Sequence, residues 1–519
     1  MSLTMELIAR WVVTGIHLSA LSVASLYGLH RFWLVWRCWR TRGQRAQPAR
    51  PFEEAPRVTI QLPLFNESTV AERIIEAACA IDWPRDRLQV QVLDDSTDEC
   101  AEQSRAVVAR LRKTGHDVVW IHRTDRTGFK AGALQNGLAT ATGDFIAIFD
   151  ADFVPPRSFL RDTIDYFGDD GIGMVQTAWD HLNADSSMLT RAQAVWLDSH
   201  FQIEHTARDR DGCWFNFNGT AGVWRRGAIE SSGGWQHETL TEDMDLSYRA
   251  QLVGWRFRYL PDVLCPAELP PTLAAFKTQQ HRWTKGTVQT GRKLLGTILR
   301  SGAAWRCKRE AFMHMTSPIV YPCVILIAVL MYPAIVLNLH VLERGGVASI
   351  VVGLAILLLA TASGCTFYAA GQRVRGVSWW RTVARLPGAV ALGIGMSVNG
   401  TVAAAEAMLG HESPFVRTPK AGDGALPPGT ITSVAITSGA ARRWSLIAVE
   451  LGLGVYILVC ACLAAFGGVA AATPFLLLFA VGYLAIGLLG ATARDRGTDV
   501  PEAAVVDATP VTVAVGGHG

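Results

Sequence analysis

The apolar run from Trp11 to Leu29 sets the first limit on this chain, because about 20 such residues are enough for a helix to cross a bilayer. It is followed by RFWLVWRCWRTRGQRAQPAR and shows no small-residue cleavage site, so it reads as an anchor rather than a removed signal peptide. Arg37, Arg40, Arg42, Arg45 and Arg50 favour a cytoplasmic C-terminal side and an N-terminus outside. Apolar text returns at 316–342, 347–371, 444–466 and 472–491, so about five spans are expected. Residues 387–409 are weakly apolar and carry Asn399 and Glu406, and they read as an interfacial or re-entrant helix. If they crossed, Arg417, Lys420, Arg442 and Arg443 would lie outside, against the positive-inside bias. The chain is half apolar and only 18% charged, which fits this division. Its ten Cys are scattered without metal-ligand spacing and read as reduced thiols or small apolar fillers. A net charge of +3, without a basic stripe interleaved with aromatics, argues against a nucleic-acid partner.

Between the apolar runs the text changes. VTIQLPLF, LQVQVLDD, VVWIH, FIAIFDAD and GMVQTAW are short β-rich segments, separated by helical stretches such as STVAERIIEAACAI and GFKAGALQNGLATA. Strand alternating with helix predicts a parallel α/β sheet, whose ligand site lies beyond the C-terminal strand ends. Asp94 and Asp95 close one strand there, and Asp150 and Asp152 another. Side chains two apart on a strand point the same way, so Asp150 and Asp152 can face one hard cation, Mg²⁺ or Mn²⁺. TLTEDMDLSYRA predicts a helix start capped at Thr241 or an adjacent residue. Glu242 and Asp243 then either compensate the helix dipole or, for a carboxylate within reach of a substrate proton, supply a general base. FKTQQHRWTKG sets Arg282 beside Trp283 ahead of an apolar run, a pattern that on its own also suits an interfacial anchor.

Taken in order, DDS at 94–96, DAD at 150–152, TED at 241–243 and QQHRW at 279–283 resemble the inverting family 2 glycosyltransferases of the processive, cellulose-synthase-like branch. The resemblance runs from about residue 55 to 300 and weakly beyond. FNFNGTAGVWRR and TLTEDMDLSYRA look most like the plant mannan and xyloglucan-backbone synthases and their bacterial relatives. SPFVRTPK at 413–420 resembles a gating loop through Phe415, Thr418 and Lys420, with Arg417 where that pattern has Val.

The resemblance implies a GT-A-type α/β domain inserted between transmembrane helices. The expected boundaries are 1–37 for the first span, 38–56 for a basic linker, 57–300 for the cytoplasmic domain, 301–493 for a membrane region holding the gating-like loop 411–422, and 494–519 for a disordered tail. It assigns Glu67, Asp94 and Asp95 to the nucleoside and Lys130 to its neighbourhood. Asp150 and Asp152 would hold the metal and diphosphate, and Asn218, Gly219 and Thr220 would meet the acceptor. Asp243 would be the base beside Glu242, Arg282 would steady the leaving diphosphate, and Gln279 and Trp283 would bind the acceptor sugar. Lys130 also reads as a solvated helix-start lysine, and Glu67 as a helix cap. The implied function is elongation and export of a β-linked polysaccharide at the cell inner membrane from a nucleotide sugar, UDP-glucose ahead of GDP-mannose. The alternatives are a ceramide-glucosyltransferase-like enzyme with a lipid acceptor and an inactive nucleotide-sugar-sensing transporter.

Overall fold

The computed structural model describes residues 3–342, 347–411, 440–467 and 469–492. Its central feature is a seven-stranded sheet: β1 (Val58–Leu64), β2 (Leu88–Asp94), β3 (Asp117–His122), β4 (Phe145–Ile148), β5 (Ile172–His181), β6 (Gly222–Arg225) and β7 (Arg256–Ala267). They run in the order β3-β2-β1-β4-β6-β5-β7. The five expected strands are present, but the sheet is mixed rather than parallel. β6 lies antiparallel to both β4 and β5. GVWR is too short to show a period of its own, and the reversal has a consequence for the site. Gly222 pairs with Ile148, so the loop before β6 arrives at the edge where β4 ends.

β1 and β2 are buried almost throughout, although Thr59, Gln61, Gln89 and Gln91 interrupt their apolar text. Buried polar groups are costly unless paired. Here they pair with one another across the strands. Thr59 Oγ1 donates to Gln89 Oε1 at 2.9 Å, and Gln61 Nε2 donates to Gln91 Oε1 at 3.0 Å, in register with the ladder. The polar ladder fixes the register of the strands that end at Asp94 and near Glu67.

Apolar helices surround one side of this domain. The first, Leu3–Arg40, packs against Val320–Leu342 and Val347–Val374, while Ala440–Phe466 packs against Thr473–Thr492. Six stretches, not about five, are long and apolar enough to cross a membrane among the described residues. The addition is Trp379–Leu409, built from helices Trp379–Gly395 and Ser397–Leu409. It differs from the others in being 61% buried inside the protein, against 22% to 39% for the rest. Trp196 of the central domain donates from Nε1 to Ala389 O at 3.0 Å, which pins the segment to the sheet domain. Its Asn399 and Glu406, the residues that made it look unfit to cross, both have protein partners. Phe415, Thr418 and Lys420 lie outside the described residues.

Candidate active site

β4 ends at Ile148, so Asp150 and Asp152 sit in the turn beyond the strand rather than on its pleat. Strand alternation therefore does not orient them, yet both line one cleft. Asp150 Oδ1 accepts from Lys130 Nζ at 2.5 Å, and Lys130 also donates to Gly219 O at 3.0 Å. Burial lowers the Lys130 pKa, but Asp150, Glu242 and Asp243 more than offset it, leaving it above the ordinary lysine value. Lys130 is thus a held cation at the centre of the cleft, not a solvated helix-start lysine. Among the described residues no three His, Cys, Asp or Glu groups converge as a metal cage. Two carboxylates with only oxygen donors suit Mg²⁺ or Mn²⁺ whose other ligands come from substrate phosphate and water.

Asp243 faces this pair. Thr241 is the N-cap of helix Glu242–Leu252, but its side chain makes no capping bond and instead meets Thr290 Oγ1 at 3.2 Å. The Asp243 carboxylate accepts from the Met244 amide at 2.8 Å. Burial and then Glu242 push its pKa up to about 7, against the opposing pull of Lys130, the Met244 amide and Arg282. A carboxyl poised there can take a proton near neutral pH.

The third side of the cleft is helix Leu273–Arg300. Gln279, Arg282 and Trp283 share one of its faces and line the cleft. Gly286 lies on that face too, where an added Cβ would stand 2.5 Å from Thr241 Cγ2, so its lack of a side chain lets the helix approach the Thr241–Asp243 turn. Trp283 sits 6.3 Å from Trp179, ring centre to ring centre, and Trp179 meets Phe153 edge to face at 5.2 Å. These rings give the cleft an apolar floor.

A family model described as glycosyltransferase-like family 2 matches residues 56–286. Residues 56–286 are a glycosyltransferase 2-like domain. Glucomannan 4-beta-mannosyltransferase 1 of Oryza sativa subsp. japonica is 45% identical over 251 residues, which are 47% of this chain and 48% of that protein. Glucomannan 4-beta-mannosyltransferase 7 of Arabidopsis thaliana is 40% identical over 296 residues, 54% of this chain and 53% of that protein. The chain spans about half the length of these curated relatives. A mannosyltransferase from Pyrobaculum calidifontis, solved with GDP-Man and Mn²⁺, superposes with a TM-score of 0.51 at 22% identity, covering 77% of this chain and all of that one. That likeness establishes a GT-A-like fold.

Within the glycosyltransferase domain the cleft gathers Glu67, Asp95, Lys130, Asp150, Asp152, Asn218, Gly219, Glu242, Asp243, Gln279, Arg282 and Trp283. Two expected site residues lie behind it. Asp94 is fully buried and accepts from Trp120 Nε1 and the Ser96 amide, both at 2.9 Å, which occupies its carboxylate. Thr220 is also fully buried, and its Oγ1 accepts from the Asp150 amide at 2.9 Å, so it orients Asp150 from behind. Asp95 is gripped by Arg123 Nε at 2.8 Å and Nη2 at 2.5 Å. Glu67 is the N-cap of helix Ser68–Cys79 by position, with no capping bond from its side chain.

Sequence reasoning missed Arg126, which lies 3.2 Å over the Phe65 ring, and it missed Trp179, His181 and Glu268. Trp179 carried a signal, since it closes the recognised segment GMVQTAW, whereas His181 lies two residues beyond it in the longer strand. The non-glycine residues with left-handed backbone among the described residues are Asn66, Phe129 and Ala221, beside Glu67, beside Lys130 and after Thr220. Such backbone is costly and clusters at functional sites. Gly219 is left-handed as well, and an added Cβ would stand 3.0 Å from Asp243 Oδ2 and 3.4 Å from Lys130 Nζ. Gly219→Ala should therefore displace the acid and the lysine and lower turnover by about 10²-fold. Steady-state rates on protein of matched melting temperature check this, and a rate within threefold of the parent would refute it.

Proposed function

We propose that this chain is a membrane-embedded inverting mannosyltransferase that elongates a β-linked glycan from GDP-mannose and passes it across the bilayer. The observation carrying this reading is Asp243, its pKa raised to about 7, facing the Lys130–Asp150 pair across a cleft that Arg282 and Trp283 also line. Asp243 takes the proton of an acceptor hydroxyl. The hydroxyl oxygen bonds to the anomeric carbon from the face opposite the diphosphate, and the bond to the diphosphate breaks with its electron pair leaving on the phosphate oxygen. Lys130 and Arg282 receive the negative charge that grows there. Trp283 packs against the C–H face of the acceptor sugar. A divalent cation, Mn²⁺ or Mg²⁺, held by Asp150 and Asp152 would add charge stabilisation on the diphosphate.

The expectation of UDP-glucose finds no support, since the relatives matching at 40% to 45% identity are glucomannan 4-beta-mannosyltransferases. GDP comes from the archaeal neighbour bound to GDP-Man. Apolar helices packed against the domain suit export, because sugar hydroxyls do not shed water into lipid cheaply. The basic stretch after the first helix supports a multi-pass inner-membrane protein with the domain in the cytoplasm and the N-terminus outside.

The purified full chain, given a panel of nucleotide sugars, should release GDP from GDP-mannose and build a product that β-mannanase digests. Turnover of UDP-glucose alone, or a short product that partitions into organic solvent, would replace this reading with a glucan synthase or a glycolipid enzyme. EDTA should stop the reaction, and Mn²⁺ or Mg²⁺ should restore it. Full activity in chelator, with metal-free protein verified by elemental analysis, would remove the cation from the mechanism.

A further inference from the structure

Helix Leu273–Arg300 has a second face. At 100° per residue, Lys277 and His281 turn away from the face of Gln279, Arg282 and Trp283, and Lys285 lies on the flank between, about 60° from Arg282. Each of those three basic groups meets a carboxylate from the apolar helices. Lys277 Nζ donates to both oxygens of Glu450, at 2.7 and 2.8 Å, and Glu450 is only 1% exposed within helix Ala440–Phe466. His281 Nε2 lies 3.0 Å and Lys285 Nζ 3.1 Å from Glu406 Oε2, on helix Ser397–Leu409. Lys285 is fully buried. Asn399 adds a bond from Nδ2 to the Lys277 carbonyl at 3.1 Å, and Arg292 bonds the Ala407 carbonyl.

Acids on candidate spans are expensive, and by default such groups point to function. These two do not line the cleft with the carboxylates described above. Instead, their contacts go to the back and flank of the helix whose front carries Arg282 and Trp283. The same helix also holds the base-bearing turn, with Gln289 Oε1 accepting from the Leu240 amide at 2.9 Å and Lys293 Nζ meeting Asp245 Oδ1 at 2.9 Å. A shift of either apolar helix would therefore move Arg282, Trp283 and the approach to Asp243 together.

We infer that Glu450 and Glu406 are positioning residues, which fix the cleft-facing side of helix Leu273–Arg300 by charge contacts from the membrane helices. The inference deepens the transfer reaction proposed above and rests on it for its kinetic consequence. It acts on geometry at the transition state, so kcat should respond more than donor affinity.

The test uses the full chain in detergent with Glu450→Gln, Glu406→Gln and the exchanged pair Lys277→Glu/Glu450→Lys. Each Gln variant should lose at least tenfold in kcat, with the donor Kd, measured by calorimetry with GDP-mannose, within threefold of the parent. The exchanged pair should recover kcat to within threefold. Deuterium uptake over 276–288 should rise in both Gln variants, while uptake over 159–178 stays unchanged. Parent-like kcat in both Gln variants, or an exchanged pair that folds without recovering it, would overturn the inference. If the parent turns over no donor at all, the transfer reading fails instead, and the exchange data decide: unchanged uptake over 276–288 overturns the positioning role by itself. If one Gln variant does not fold, the exchanged pair and the other Gln variant are read by the same criteria.

Discussion

Asp243→Asn should lower turnover by about 10²–10⁴-fold while leaving donor binding near that of the parent. The amide keeps the shape of the carboxyl and the bond from the Met244 amide, but it cannot accept the acceptor's proton. The same group sets the pH dependence. Burial and Glu242 hold its pKa up to about 7, and a base works only when ionised. In the parent, kcat/KM should climb as pH rises toward about 7 and then level, whereas the residual rate of the variant should not follow that curve. Stability should move the other way. The folded chain binds this proton more tightly than the unfolded chain, so ionisation subtracts stability as pH rises from the ordinary carboxylate range to about 7. Asp243→Asn should then melt above the parent at pH 8, with the gap closing in acid. Retention of more than a tenth of parental turnover at pH 8 would show that another group is the base.

Arg282→Ala should cost about 10²–10³-fold in kcat, the scale seen when one preorganised partner of a developing anion is removed. Donor affinity should fall far less, because the arginine's charge matters most as the diphosphate departs. Its neighbour separates two roles for the same stretch. Were Trp283 only a membrane-interface anchor, Trp283→Ala would disturb insertion and leave the rate per folded molecule intact. If Trp283 is an acceptor platform beside Trp179, the variant should lose transfer to sugar while expression and nucleotide binding hold. Parental rates for both variants, at matched yield in detergent, would return FKTQQHRWTKG to the anchor role.

Much of this site could be read from the sequence because its parts are short and ordered. Four acidic or basic motifs in sequence were enough to bring Asp150, Asp243 and Arg282 into one cleft. What could not be read depends on contacts between distant segments. The β6 reversal hides in four residues, and only the sheet partners of GVWR make it a strand. The loop before it reaches Asp150 through that reversal, and its Thr220, expected at the acceptor, accepts a bond from the Asp150 amide. Asp94 is a similar case, since nothing near it in the chain announces the bond that Trp120 makes to its carboxylate. The local text of 387–409 likewise does not show that Asn399 and Glu406 find partners more than a hundred residues away.

The first helix is longer than a bilayer requires. Its 38 residues reach about 57 Å, against a hydrocarbon core of about 30 Å. The surplus is not idle: His30 bonds Glu310 at 2.9 Å, Arg37 pairs with Asp211, and Cys38 Sγ contacts the Gln202 carbonyl at 3.5 Å. In a bilayer, which its length and composition allow it to cross, this helix would act as a measuring post between the lipid and the sheet domain. A thinner or thicker bilayer would then meet a post that cannot change length, and the mismatch would fall on tilt of the domain or local deformation of the lipid.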